Sequence, residues 1–286
     1  MREFNPCGAL WNSMTLLDYL RIIRPLNCIV AGVAALIGYW ISALWILLDL
    51  NALLVFLAVF LVCAGGQAVN DYFDLEIDRR KKAKKALALG KANAGIVFSL
   101  ALLLFAAGIL VSYFLGFFAF LIAVIMSLLL FSYSAFFQKA KFFGNWIVAL
   151  GTAMTLVFGA SVIGNFEVVF WLFWPMLFAN LSREIIKDFE DLNADKGLKN
   201  TLPMVLGVKR AKLLVGIFYI IAIVLAFWIF SFGIVQSLAY LLLLFPTTLV
   251  FLLSAKALGW NSFAKAQAFS KLGMLLALLA FFAILV

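Results

Sequence analysis

Nine apolar stretches of about bilayer length dominate this chain: Leu26–Leu47, Ala52–Val69, Ala94–Phe114, Phe117–Phe137, Trp146–Ile163, Val168–Ile186, Leu213–Phe232, Ile234–Leu253 and Ala266–Val286. Crossing a bilayer as a helix takes about 20 mostly apolar residues. Nine helices would therefore use about 180 residues, near two thirds of a chain of 286. The composition matches, with 67% hydrophobic and 12% charged residues and a mean hydropathy of +1.15. Soluble domains carry about twice that share of charge, and no water-soluble globule of this size could hide so much apolar surface. A transmembrane β-barrel would instead show short segments of alternating polarity. The expected fold is all-α: a polytopic membrane protein of nine transmembrane helices, one domain over residues 1–286.

Ahead of the first span, Thr15-Leu-Leu-Asp-Tyr-Leu-Arg-Ile-Ile-Arg24 places apolar residues at helical spacing with charges opposite. It reads as a short interfacial helix within an interfacial segment 1–25. Met1 to Trp11 lacks the long apolar core and small-residue cleavage site of a secretory signal, so the first span is expected to target the chain. Three cysteines and no histidine leave neither a disulfide framework nor a Cys/His metal site.

The net charge of +9 is topogenic here, because Lys and Arg collect on the cytoplasmic side of membrane proteins. All 22 Lys and Arg fall before span one, in alternate loops, or at the span ends beside them, while the opposite loops hold only Asp49 and Glu167. This predicts a cytoplasmic N-terminus, a C-terminus on the other side, and no nucleic-acid partner. The positive-inside rule does not require the acidic residues to follow, yet nine of the 13 crowd into two windows on the basic side.

The windows lie at the expected cytoplasmic motif loops 71–93 and 183–208. The first runs Gln67-Ala-Val-Asn70-Asp71-Tyr-Phe-Asp74-Leu-Glu76-Ile-Asp78, and the second runs Glu184-Ile-Ile-Lys187-Asp188-Phe-Glu190-Asp191-Leu-Asn-Ala-Asp195. Both contain D-x-x-D-x-x-x-D. At about 100° per residue these offsets fall within a sector of about 60°, so three carboxylates share a face while Glu76 and Glu190 point away. Gln67 corresponds to Glu184 and Asn70 to Lys187, as in an internal repeat.

Ionised groups at membrane depth are costly and mark functional sites by default. Two opposed oxygen-rich faces call for a hard divalent cation, and Mg²⁺ is commonly shared with substrate phosphates. The pair of windows is thus a candidate diphosphate clamp, with Lys187, Arg183, Lys139 and Lys141 completing the charge balance. Solvated loop carboxylates paired with the basic run, or the ion relay of a transport protein, are the competing readings. Transport sites tend toward the bilayer midplane, whereas these acids sit at one surface.

At these residues the chain resembles the UbiA superfamily of intramembrane prenyltransferases. Asn70-Asp71-Tyr-Phe-Asp74-Leu-Glu-Ile-Asp78 matches its N-D-x-x-D-x-x-x-D, and Asp191-x-x-x-Asp195 its second aspartate motif. Nine spans with motifs after the second and sixth agree with it. Arg24-Pro-Leu-Asn27, Gly144-Asn145, Arg183-Glu-Ile-Ile-Lys-Asp-Phe-Glu-Asp191 and Thr201-Leu-Pro203 look most like the archaeal digeranylgeranylglyceryl phosphate synthases.

The resemblance implies Mg²⁺-dependent transfer of a geranylgeranyl group from its diphosphate to geranylgeranylglyceryl phosphate at the cytoplasmic side of the cell membrane. An aromatic acid or quinone precursor is the alternative acceptor. Carried over residue by residue, it assigns catalysis to Asp71, Asp74, Asp191 and Asp195, and metal binding to Asn70, Asp71, Asp74, Asp78, Asp188, Asp191 and Asp195. Substrate contacts fall to Arg24, Asn27, Tyr133, Lys139, Lys141, Arg183 and Lys187. Tyr133 would offer its ring to an allyl cation, or else be a tyrosine of the interfacial belt. The chain departs from the family at 79–91, where prolines are absent and Lys84 and Lys85 stand in place of Asn and Arg. Lys lacks the bidentate fork of Arg, so this loop is read either as a weakened phosphate contact or as a basic patch on anionic lipid.

Overall fold

The computed structural model describes residues 16–80, 82–83, 85–137, 141–192, 197 and 199–286, with backbone only at 16, 137, 141 and 142. Among these residues the regular structure is helical. The short α1 (Leu16–Ile23) falls on the stretch read as an interfacial helix and leads into α2 (Pro25–Ala43) and α3 (Leu50–Phe73). A short α4 (Leu75–Arg80) follows, then α5 (Ala94–Tyr113), α6 (Phe117–Ser132) with a π-helical turn at Tyr133–Phe137, and α7 (Lys141–Ile163). The second half holds α8 (Glu167–Glu190), a short α9 (Leu202–Leu206), α10 (Val208–Ser231), α11 (Leu238–Gly259) and α12 (Phe263–Phe282). Among the described residues eight helices are long and apolar enough, by length and composition, to cross a membrane. The ninth long helix, α8, has the length but carries Asn180, Arg183, Glu184, Lys187 and Asp188 in its second half.

Helix ends differ from hydropathy because charged residues continue a helix beyond the apolar layer. Thus α7 starts at Lys141 rather than Trp146 and α10 at Val208 rather than Leu213. α11 begins only at Leu238, because Ser237 caps it by accepting a bond from the Tyr240 N–H. Asp49, isolated on the side opposite the motifs, caps α3 by accepting from Ala52 N–H at 2.8 Å and receives the Tyr39 hydroxyl at 2.9 Å. The motif segments 71–93 and 183–208, expected as loops, begin inside α3 and α8.

α2 packs on α3 and α7, α3 on α5, α7 on α8, α8 on α10 and α12, and α11 on α12. Without a hydrophobic difference between lipid and helix, close approach of small residues drives such packing. At the α2–α7 crossing a Cβ on Gly38 would strike the Leu156 carbonyl, and one on Gly159 would strike the Ala35 carbonyl. The motif-bearing helices α3 and α8 are thus held through α2 and α7, with their polar C-terminal ends brought together by contacts described below. α1 is not a free surface helix: Ile22 is buried against Val62, Val69, Leu87 and Ala92.

Candidate active site

The end of α3 runs into α4 with one turn residue, Asp74, between them, and Asp78 N–H donates to the Asp74 carbonyl at 2.8 Å. Near-helical continuity keeps Asp71, Asp74 and Asp78 on the buried side, exposed by only 3%, 6% and 6%. Glu76 faces out and pairs with Arg80 at 2.9 Å. Glu190 is likewise exposed at the end of α8.

Each buried carboxylate of the first motif meets a basic side chain. Arg24 donates through Nη2 to Asp71 Oδ1 at 2.7 Å and through Nη1 to Gln67 Oε1 at 2.7 Å. It does so from a left-handed backbone, φ 49°, at the N-cap of α2. A non-glycine residue in that region stores strain and is characteristic of functional sites. Lys85 reaches Asp71 at 3.0 Å and Asp78 at 2.7 Å. Lys199 donates to Asp74 Oδ1 at 2.6 Å, and Asn70 Nδ2 donates to Asp74 Oδ2 at 3.1 Å.

Burial raises the Asp78 carboxyl above its ordinary range, and Lys85 only partly opposes this. Burial alone would lower the Lys85 ammonium, but Asp71 and Asp78 outweigh it and raise it. Lys85 is therefore a firmly charged group folded over the acidic face, and the loop 79–91 is more than a patch facing lipid.

The second motif is built differently. Asp188 is fully buried and accepts Asn145 Nδ2 at 2.8 Å and the Leu202 N–H at 3.4 Å. This carboxylate ties α7, α8 and the N-terminus of α9 together, a location where helix N–H groups favour an anion. Asp191 ends α8 in a half-buried position. Arg183 and Lys187 both approach the buried Glu184, Lys187 at 3.7 Å. Tyr133 opens the π-helical turn with its ring on Gly144, where a Cβ would collide with it. Asn27 is exposed in the first turn of α2. Lys139 and Asp195 lie outside the described residues, as does the side chain of Lys141.

Lys199 is a contact, among the described residues, that joins the two motif regions. It belongs to the segment following the second motif, yet this residue, 9% exposed, pairs through its ammonium with the first. Sequence reasoning assigned no role to Lys199, Asn145 or Gln67. The Gly144-Asn145 pair and the stretch leading to Thr201-Leu-Pro203 were the available signals. Among the described residues no three His, Cys, Asp or Glu side chains converge on one point as a ready cage. The donor set of carboxylate and amide oxygens nevertheless has the hard character that Mg²⁺ prefers.

Comparison with known proteins gives a consistent result. The model of the UbiA prenyltransferase family matches residues 31–284. A digeranylgeranylglyceryl phosphate synthase of Thermococcus kodakarensis is 35% identical over 269 residues, covering 92% of this chain and 96% of the relative. A solved structure described as digeranylgeranylglyceryl phosphate synthase in membranes superposes with a TM-score of 0.78 at 34% identity, covering 94% of this chain and 98% of that one. A UbiA homolog from Archaeoglobus fulgidus, solved with DMAPP and Mg²⁺, shares the fold with a TM-score of 0.71 at 17% identity, covering 92% and 99%. The chain is a multi-pass membrane enzyme that belongs to the UbiA prenyltransferase family.

Proposed function

We propose that this protein transfers a geranylgeranyl group from its diphosphate to geranylgeranylglyceryl phosphate, in archaeal ether-lipid synthesis, on the cytoplasmic side of the cell membrane. The observation that carries the reading is the buried face of Asp71, Asp74 and Asp78, bridged by Lys199 to the segment of the second motif. The relative from Thermococcus kodakarensis supplies the acceptor class by its name.

The bond from the allylic carbon to the diphosphate oxygen breaks, and the acceptor hydroxyl oxygen bonds to that carbon. The hydroxyl proton passes to the departing diphosphate or to a motif aspartate. Mg²⁺ would be held by Asn70, Asp71, Asp74, Asp78, Asp188, Asp191 and Asp195, and bound there it supplies positive charge where the leaving group becomes negative. Arg24, Lys85 and Lys199 stand beside the same carboxylates and can turn their donors to diphosphate oxygens. Charge-assisted bonds of this kind are roughly twice as strong as neutral ones. Arg183, Lys187, Lys139 and Lys141 add cationic contacts for the diphosphate and for the phosphate of the acceptor, with Asn27 at the mouth. Tyr133, braced on Gly144, offers a π face to the allylic cation. The surrounding helices keep water from that cation.

Product mass spectrometry on the purified protein tests this, with Mg²⁺, geranylgeranyl diphosphate and either geranylgeranylglyceryl phosphate or an aromatic acid. A doubly geranylgeranylated glycerol phosphate, abolished by EDTA, is the expected product. A product with the aromatic acid alone would move the enzyme to quinone biosynthesis.

A further inference from the structure

We infer that Lys199, with Lys85 and Arg24, acts as an internal counter-ion that occupies the first-motif carboxylates until a diphosphate draws it away, so that metal and diphosphate bind only together. This deepens the proposed function and rests on its reading of the motifs as a Mg²⁺–diphosphate clamp.

The charge balance on the acidic face is the starting point. Three buried carboxylates, Asp71, Asp74 and Asp78, are contacted by three cations, Arg24, Lys85 and Lys199, at 2.6–3.0 Å. Among the described residues the formal charges of these six groups balance. A divalent cation entering alone would add two positive charges to a poorly solvated site, beside ammonium and guanidinium groups already bonded to its ligands. Charge interactions at such depth are several times stronger than in water. A free diphosphate meets the opposite difficulty at this face, because Arg24, Lys85 and Lys199 are already bonded to its carboxylates.

When both arrive, the two problems cancel. The lysines turn from carboxylate to diphosphate oxygens, and the vacated carboxylate oxygens receive the metal. Lys199 is the best placed to make this exchange. Its ammonium is buried, it holds Asp74 at 2.6 Å, and it comes from the segment after the second motif. A surface lysine with solvent on most sides could move away at little cost, whereas this one has to exchange one buried anion for another.

The test is Mn²⁺ binding to the purified protein, followed by electron paramagnetic resonance, with and without an unreactive geranyl thiolodiphosphate. In the wild type the analogue is expected to tighten Mn²⁺ binding by about 100-fold, within the usual range of coupling between sites. Lys199→Met should tighten Mn²⁺ binding in the absence of the analogue and reduce the coupling to below about tenfold. Lys199→Arg, which keeps the charge, should restore wild-type coupling, and Lys256→Met, at the Trp260 ring, should change nothing. Lys85→Met is expected to shift the same quantity in the same direction, which keeps the test available if Lys199→Met does not fold. Unchanged metal affinity in both methionine variants would overturn the inference while leaving the clamp intact. A wild type that takes up no Mn²⁺ even with the analogue would overturn the clamp reading, and the exchange with it.

Discussion

Replacing Asn145 with leucine probes the part of the site that sequence left without a role. The two side chains have similar size, so the change removes a donor without opening a cavity. Asn145 is 4% exposed and its amide lies 2.8 Å from a carboxylate oxygen of Asp188, itself fully buried. A hydrogen bond to a charged group contributes about 1.5–3 kcal/mol. The leucine would gain some contact with the apolar groove beside it, lined by Trp146, Leu181 and Phe218, which offsets about a third of that loss by the area rule. The net expectation is a destabilisation of about 1–2 kcal/mol, or a fall in melting temperature of roughly 2–8 °C for a chain of this size. A reversible SDS titration followed by circular dichroism would measure it. A cycle with Asp188→Asn isolates the pair, and its coupling energy should lie between about 0.5 and 3 kcal/mol. A loss below about 0.5 kcal/mol for Asn145→Leu, together with zero coupling, would refute the argument that Asn145 holds Asp188 in place.

Four further outcomes follow from the geometry. Asp71→Asn and Asp191→Asn should each abolish transferase activity while leaving the helix content intact, and full activity in both would contradict the clamp. Gly144→Ala should reduce turnover more than stability, measured as kcat against melting temperature, because its methyl strikes the movable Tyr133 ring. Gly159→Ala should cost about 1–3 kcal/mol by overpacking, since its methyl meets the Ala35 carbonyl and the Tyr39 nitrogen rather than a flexible side chain. Glu76→Ala should alter neither the unfolding midpoint nor product formation, because Glu76 pairs with Arg80 in solvent.

Much of the architecture was legible because the bilayer imposes a one-dimensional rule. A run of apolar residues long enough to cross it must be a helix, so the order of spans could be read without any tertiary contact. The carboxylate face of the first motif was legible for a similar reason: offsets of three and seven are local geometry, and the burial of Asp71, Asp74 and Asp78 against the exposure of Glu76 follows from them. Helix ends were less legible, since α8 and α10 continue through charged residues that hydropathy takes as loop.

What the chain determines by itself is therefore its helical, membrane-spanning class, the side on which its charges gather, and the register of two acidic motifs. The tertiary structure alone decides which cation meets which carboxylate. Arg24 and Asp71 are separated by 47 residues, and Lys199 and Asp74 by 125. No periodicity links such pairs. They meet because Gly38 and Gly159 let α2 and α7 cross closely, and because Asn145 and the start of α9 fasten the end of α8. Local spacing places a charge on a helix face, but only packing selects its partner from another helix, because partner choice depends on distances that the sequence does not encode locally.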